Sequence, residues 1–198
     1  MRQGLAGFDL ASIGWFNVYK KFPETMQQFW IFGYGSLMWR PGFEFVESEP
    51  ALIRGLHRRL CVMSHVHRGT PERPGLVLGL DRGGSCHGTA FRIEPDRWED
   101  TLAYLRSREQ VTMVYLERSK PIHLLCSGRP ATAVTYIVDR AHKQYAGKLE
   151  DRTVLEHIRQ GHGISGACTE YVFNTVAHLR EMTIRDEHLE RIAQLLKA

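Results

Sequence analysis

One stretch of this chain leaves an apolar run in a way that could hold a ligand. Phe29-Trp30-Ile31-Phe32 reads as a strand. It breaks into Gly33-Tyr34-Gly35-Ser36, then Leu37, Met38 and Trp39, then a Pro41-Gly42 turn. Gly33 and Gly35 permit positive φ and let another group approach the backbone closely. Successive N–H groups in such a corner converge on an anion such as a carboxylate. Ser36 adds a hydroxyl and Tyr34 a ring wall. The same tetrapeptide also suits a strand-ending bulge that holds nothing.

A second chemical candidate is Glu109. Trp98, Leu102 and Leu105 recur at helical spacing, and Glu109 continues that stripe one turn beyond Leu105. A carboxylate on the apolar side of an amphipathic helix points inward. Burial disfavours its ionised form, raises its pKa and makes it a better proton acceptor near neutral pH. Two other outcomes stay open: an ion pair with Arg106 or Arg108, or a helix that ends earlier and leaves Glu109 exposed.

Other constellations are weaker. On a strand, His65 and His67 would face one side and could ligate metal, but no third ligand stands at a convincing spacing. No nucleophile elbow or P-loop is present, and no GxGxxG follows a predicted strand. Neither a metal site nor a nucleotide-phosphate site is indicated by these motifs. Cys61, Cys86, Cys126 and Cys168 are far apart and form no CxxC pair; three of them fall in strand-like runs. They read as buried free thiols of a reducing, cytoplasmic protein.

Several elements must position these residues. Ala51–Leu56, Arg59–Val66, Leu76–Leu80 and Cys86–Ile93 read as separate strands, the last pair divided by a Gly83-Gly84 turn. Pro95 suits the first turn of a helix, and Asp96, Glu99 and Asp100 suit its positive end. That helix is expected to run to about Arg108. Met113–Leu116, Ile122–Cys126 and Ala131–Val138 are strand-like. Leu149–Gln160 reads as a helix stopped by Gly161. Ser165 is placed to cap a helix through Glu170 to Leu179, and Thr183 with Asp186 resembles a capping box before a last helix. Strands followed by helices, with one helix inserted, predict an α+β fold and not a doubly wound one.

The 198 residues suit one domain, taken as 29–198, with residues 1–28 as an extension on or beside it. Hydrophobic content of 43% and charged content of 24% are those of an ordinary globular protein. No apolar run is long enough to cross a membrane, and no secretory leader is evident. A net charge of +4, with no long basic stripe interleaved with aromatics, fits a small anionic ligand and not a nucleic acid.

From about Trp30 to Leu179, five segments in order resemble the ChaC-like γ-glutamylcyclotransferases, which act on glutathione. These are WIFGYGSLMWRPGF; HRGTPERPG from His67 to Gly75; YLRSRE from Tyr104 to Glu109; HKQYAGKL from His142 to Leu149; and GHGISGACTEY from Gly161 to Tyr171. The resemblance implies a small β-barrel flanked by helices and a reaction without metal or organic cofactor. It implies Glu109 as the general acid/base. It places Tyr34, Gly35, Ser36 and Leu37 at a γ-glutamyl group, with Arg68 and Tyr145 near the substrate. Some family members carry an acidic residue where Ser64 stands, an arginine where Leu76 stands and an asparagine where Cys168 stands. The implied activity is release of 5-oxoproline and Cys-Gly from glutathione. The same cyclisation on other γ-glutamyl amines or γ-glutamyl amino acids is the alternative, as is a regulatory protein that binds a γ-glutamyl group without turnover.

Overall fold

The structure, a computed structural model, describes residues 28–198. Nearly all of the expected N-terminal extension therefore lies outside the described residues. Five strands, β1 (Phe29–Gly33), β2 (Glu47–Ser64), β3 (Gly75–Ile93), β4 (Tyr115–Leu124) and β5 (Pro130–Val138), close a barrel in the order β1-β3-β2-β4-β5. Closure comes from a short parallel pairing of Trp30 and Ile31 with Ala133 and Val134. A two-stranded hairpin, β6 (His162–Gly163) and β7 (Gly166–Ala167), sits among the helices α1 (Trp98–Glu109), α2 (Asp151–Gln160), α3 (Cys168–Glu181) and α4 (Glu187–Lys197). This is an α+β fold.

Strands β2 and β3 form one long antiparallel ribbon, where the sequence suggested four separate strands. Its register slips between Arg54 and Leu56, where Gly55 has φ of 77°, opposite Gly83 and Gly84 at 105° and 63°. Positive φ serves a bulge as well as a turn. Here the glycines bend the ribbon and do not end it. One half, Glu47–Arg54 with Ser85–Ile93, joins the barrel wall, while the other half projects toward α2 and α3. In the same way the runs expected at Met113–Leu116 and Ile122–Cys126 overlap the two ends of a single strand, β4, which leaves Met113, Val114, Leu125 and Cys126 outside it.

The larger core joins the barrel to α2, α3 and α4 through Trp30, Phe32, Leu76, Leu80, Ile158, Val172 and Ile192, all fully buried. A second core seats α1 on the barrel: Leu102 and Leu105 meet Ile31, Leu37, Phe91, Ile93 and Tyr136. Burying side chains of this size contributes about 1.5–3 kcal/mol each. The second core therefore fixes where α1 ends, and with it Glu109.

Helix boundaries hold several corrections. Pro95–Arg97 is a 3-10 turn leading into α1, and α1 runs one residue past the expected Arg108. Ser165 caps nothing; Ala167 precedes α3, and Ser165 Oγ instead lies 3.0 Å from His67 Nδ1. Thr183 is not the cap of α4: Asp186 is, accepting from the Leu189 N–H at 3.1 Å. Gly161 does not end α2 in the left-handed region, since its φ is −73°. It is needed for space. A Cβ there would lie 2.5 Å from the Arg68 carbonyl oxygen and 2.5 Å from Gly75 Cα. A Cβ on Gly163 would lie closer still to the Val66 carbonyl oxygen. These contacts press the loop after β2 backbone-to-backbone against the β6–β7 hairpin.

Of the cysteines, only Cys61 and Cys86 lie in strands; Cys168 heads α3, and Cys126 follows β4 and is exposed. All four are free. His65 and His67 fall in the loop beyond β2, so they share no strand face. Among the described residues no group of three His, Cys, Asp or Glu could hold a metal ion.

Candidate active site

Strand β1 delivers the chain to Gly33 and into a 3-10 turn over Ser36–Met38. The Met38 N–H reaches the Gly35 carbonyl at 2.9 Å and the Arg40 N–H the Ser36 carbonyl at 2.8 Å. The N–H groups of Ser36 and Leu37 stand ahead of these bonds, at the open start of the turn. Neither Gly33 nor Gly35 has positive φ, contrary to expectation; in this stretch only Gly42 does, at 76°. Gly33 is required for another reason. A Cβ on it would lie 3.0 Å from the Cβ of Leu37.

The large residues of the turn are anchors. Leu37 and Met38 are buried on the two core clusters, and Trp39 stacks on His178 of α3 with ring centroids 4.6 Å apart. Leu37 can therefore meet a ligand only through its backbone. Tyr34 is also buried, and its hydroxyl lies at the Leu80 backbone. Its carbonyl accepts from Arg58 Nε. Tyr34 is thus a rear wall, not an open one.

Glu109 ends α1 as its last helical residue. Its side chain keeps 19% of its surface exposed. Burial pushes its pKa up, and the neighbouring Arg108 charge pulls the other way. Inward placement and ion pairing, set out as alternatives, occur together: Arg108 Nε is 3.2 Å from Glu109 Oε1. Arg106 is committed elsewhere, to Glu117, through two bonds of 2.9 and 2.7 Å. Arg108 also crosses to the turn, donating to Ser36 Oγ at 3.0 Å and to the carbonyls of Arg40 and Pro41 at 2.7 and 3.0 Å. The two chemical features of the sequence are therefore joined in space by one side chain.

Three tyrosine hydroxyls converge nearby on the open side of β3. Next to Leu78 no further strand among the described residues pairs with the ribbon, and side chains take up its backbone groups. The Leu78 N–H donates to Tyr171 Oη at 3.2 Å, and Tyr115 donates to the Leu78 carbonyl at 2.6 Å. Tyr34 occupies the next such position, at Leu80. Burial first, and the Glu109 charge among other causes, push all three phenols above their ordinary range. They stay neutral beside the carboxylate.

Arg68 reaches this cluster from the loop after β2. Its Nη1 donates to the Ala167 carbonyl at 3.1 Å, and its guanidinium lies 5.6 Å from the Tyr171 ring centroid. Tyr145 is placed differently. Its hydroxyl donates to Asp81 at 2.8 Å, and its charged surroundings are Asp81 and Arg140, not Glu109. The structure thus groups Tyr34, Gly35, Ser36, Leu37 and Glu109, with Arg68 joined through Tyr171, and leaves Tyr145 in a neighbouring network.

Sequence reasoning named Arg108 only as an ion-pair option and did not name Tyr115 as a site residue. Tyr171 stood inside a quoted motif without a role. A lone tyrosine after a helix, or one turn into another, carries no local signal that its hydroxyl faces a strand edge.

Comparisons with known proteins identify the family. The family model described as ChaC-like protein matches residues 29–198. The glutathione-specific gamma-glutamylcyclotransferase of Escherichia coli (strain K12) is 33% identical over 168 residues, covering 85% of this chain and 72% of that protein. The glutathione-specific gamma-glutamylcyclotransferase 1 of Mus musculus is 32% identical over 171 residues, covering 84% and 77%. A crystal structure of a gamma-glutamylcyclotransferase specific to glutathione from yeast has the same fold, with a TM-score of 0.78 at 24% identity over 86% of this chain and 96% of that one. A family match over residues 29–198, with relatives above 30% identity along most of the chain, makes this chain a member of the ChaC-like family.

Proposed function

We propose that this chain is a glutathione-specific γ-glutamylcyclotransferase that releases 5-oxoproline and Cys-Gly. One observation carries the reading. A partly desolvated carboxylate, Glu109, stands beside a turn whose leading N–H groups are open, in a chain whose relatives bear that activity in their names.

In the reaction the α-amine of the γ-glutamyl unit attacks its own side-chain amide carbonyl. A new C–N bond closes the five-membered lactam, and the amide C–N bond to cysteine breaks. The substrate brings its own nucleophile, so the chain needs no activated serine or cysteine. Its first task is to fold the γ-glutamyl arm back on itself. Intramolecular geometry of that kind lowers the barrier by up to about 7–11 kcal/mol.

Its second task is proton transfer. Glu109 takes a proton from the attacking amine and returns one to the departing nitrogen. Its raised pKa suits both steps near neutral pH. The third task is anchoring charge. The Ser36 and Leu37 N–H groups point at the α-carboxylate or at the oxygen of the carbonyl under attack. Ser36 Oγ already accepts from Arg108, so its own proton remains to donate to substrate. Arg68 supplies a positive charge from the loop after β2. Tyr145 contributes through its ring and the accepting side of its hydroxyl, whose proton is held by Asp81.

The free cysteines support a reducing compartment such as the cytoplasm. No described helix is long and apolar enough to cross a membrane.

Incubation with glutathione, read by mass spectrometry, is expected to yield equal amounts of 5-oxoproline and Cys-Gly. γ-Glutamyl amines and γ-glutamyl amino acids in the same assay are expected to react more slowly. No 5-oxoproline from any γ-glutamyl compound, with calorimetric binding of glutathione retained, would make this a binding protein instead.

A further inference from the structure

We propose that Arg108 is a positioning residue for this reaction: its guanidinium sets the separation between the Ser36–Pro41 loop and the Glu109 carboxylate. The inference rests on the γ-glutamyl reading of the site. The guanidinium divides its donors between the two partners. Nη1 serves the carbonyls of Arg40 and Pro41 and lies 3.1 Å from the Tyr104 hydroxyl, Nη2 serves Ser36 Oγ, and Nε alone faces Glu109.

That division matters. A two-pronged grip on the carboxylate would lock it into a salt bridge and hold it ionised. A single contact at Oε1 leaves Oε2 for a proton. The loop takes the stronger grip because it must present backbone N–H groups at a fixed place. A planar guanidinium fixes all these directions relative to one another, whereas a lysine ammonium is a single point of charge and cannot serve both partners. The anchor itself is held by fold. Arg108 sits in the last turn of α1, which Leu102 and Leu105 seat on the second core together with Leu37 of the same loop.

Arg108 also supplies electrostatic balance. The other titratable groups facing Glu109 are phenols: Tyr34 of the turn, Tyr115 of β4, Tyr136 of β5 and Tyr171 of α3. Arg108 is the one cation acting directly on Glu109 among the described residues, and it lowers a pKa that burial raises.

Arg108→Lys, Arg108→Met and Ser36→Ala test this, with folding checked by circular dichroism. The readouts are kcat and KM for glutathione across pH, and titration of the Glu109 carboxyl by carbon-13 NMR. Arg108→Lys keeps the charge but loses the fork, so the acid limb stays and kcat/KM falls by about tenfold to a hundredfold, the effect of a misplacement of order 1 Å. Arg108→Met also loses the charge, so the acid limb and the NMR titration both move to higher pH. Ser36→Ala raises KM and leaves the limb in place; it carries the test if Arg108→Met does not fold. A lysine variant with wild-type kcat/KM, or a methionine variant with an unmoved Glu109 titration, would overturn the assignment. If wild-type protein releases no 5-oxoproline, the substrate reading fails separately, and the NMR titration still decides the Arg108–Glu109 coupling.

Discussion

Asp81 in β3 and Glu109 at the end of α1 are carboxylates folded into the same barrel, yet their surroundings treat them in opposite ways. Asp81 has no exposed side-chain surface, and burial alone would push its pKa up. Donors outweigh that. Arg140 Nε binds it at 2.7 Å, Tyr145 Oη at 2.8 Å and the Arg82 N–H at 2.8 Å, with Arg59 at 3.5 Å. Its pKa ends below the usual carboxylate range. Glu109 is less enclosed but has one cation and four neutral phenols around it, and its pKa ends above that range. Depth of burial therefore does not decide the direction of the shift. The number of donors supplied to the charged form does. Asp81 is held ionised; Glu109 is left able to change its protonation.

The largest expected effect breaks the comparison at its chemical end. Glu109→Gln removes the group that moves protons while keeping its shape. It is expected to lower kcat for 5-oxoproline release by about 10³-fold, within the range of general acid–base catalysis, with glutathione binding kept. Stability should not fall, because no ionised carboxylate is left to desolvate. The sign follows from the raised pKa. Glu109's favourable contribution is fully present below its unfolded pKa and is lost as pH rises through its folded pKa. The gain of Glu109→Gln over wild type in urea unfolding should thus grow above the ordinary carboxylate range. Near wild-type turnover in this variant would remove Glu109 from the mechanism.

The contrast also explains what the sequence made legible. Glu109 announced itself because the Trp98, Leu102, Leu105 stripe is local, and helical spacing carries direction. Asp81 lies in LGLDRGG, where an aspartate before two glycines looks like a turn residue. Only the distant pairing of Arg54 with Ser85 and Leu56 with Arg82 turns that segment into the bend of a continuous strand and buries Asp81. Family resemblance carried the barrel and the order of the site segments. It could not say that Tyr34 and Leu37 turn their side chains into the core, or that Arg108 spans from helix to loop. Those facts belong to tertiary packing, as does the preference for Asp186 over Thr183 as a cap.

A smaller effect tests the structural carboxylate. Asp81→Asn leaves Arg59 and Arg140 without their counter-charge in a buried position. Because both guanidiniums keep some exposure, the cost is expected at roughly 2–4 kcal/mol, toward the low end for a broken buried pair. The pH dependence runs opposite to that of Glu109. Asp81's contribution is present above its unfolded pKa and is lost as pH falls through its lowered folded pKa. The gap between wild type and Asp81→Asn in urea unfolding should therefore narrow toward acid. Equal midpoints at neutral pH would show that the network stabilises nothing.

The smallest effect falls on the residue shared between the two settings. Tyr145 is tied to Asp81 by its hydroxyl and is proposed to touch the substrate with the rest of its ring. Tyr145→Phe removes one hydrogen bond from Asp81 and leaves Arg59, Arg140 and the Arg82 N–H in place. The expected loss of stability is about 1.5 kcal/mol, the low end for a hydrogen bond to a charged group, because Tyr145 keeps some exposure. KM for glutathione should rise severalfold. The acid limb of the pH–rate profile should stay where wild type has it, because Tyr145 answers to the Asp81 charge and not to that of Glu109. Movement of that limb would mean that the two carboxylates are coupled through Tyr145, and the division between a fixed charge and a mobile proton would then be one network.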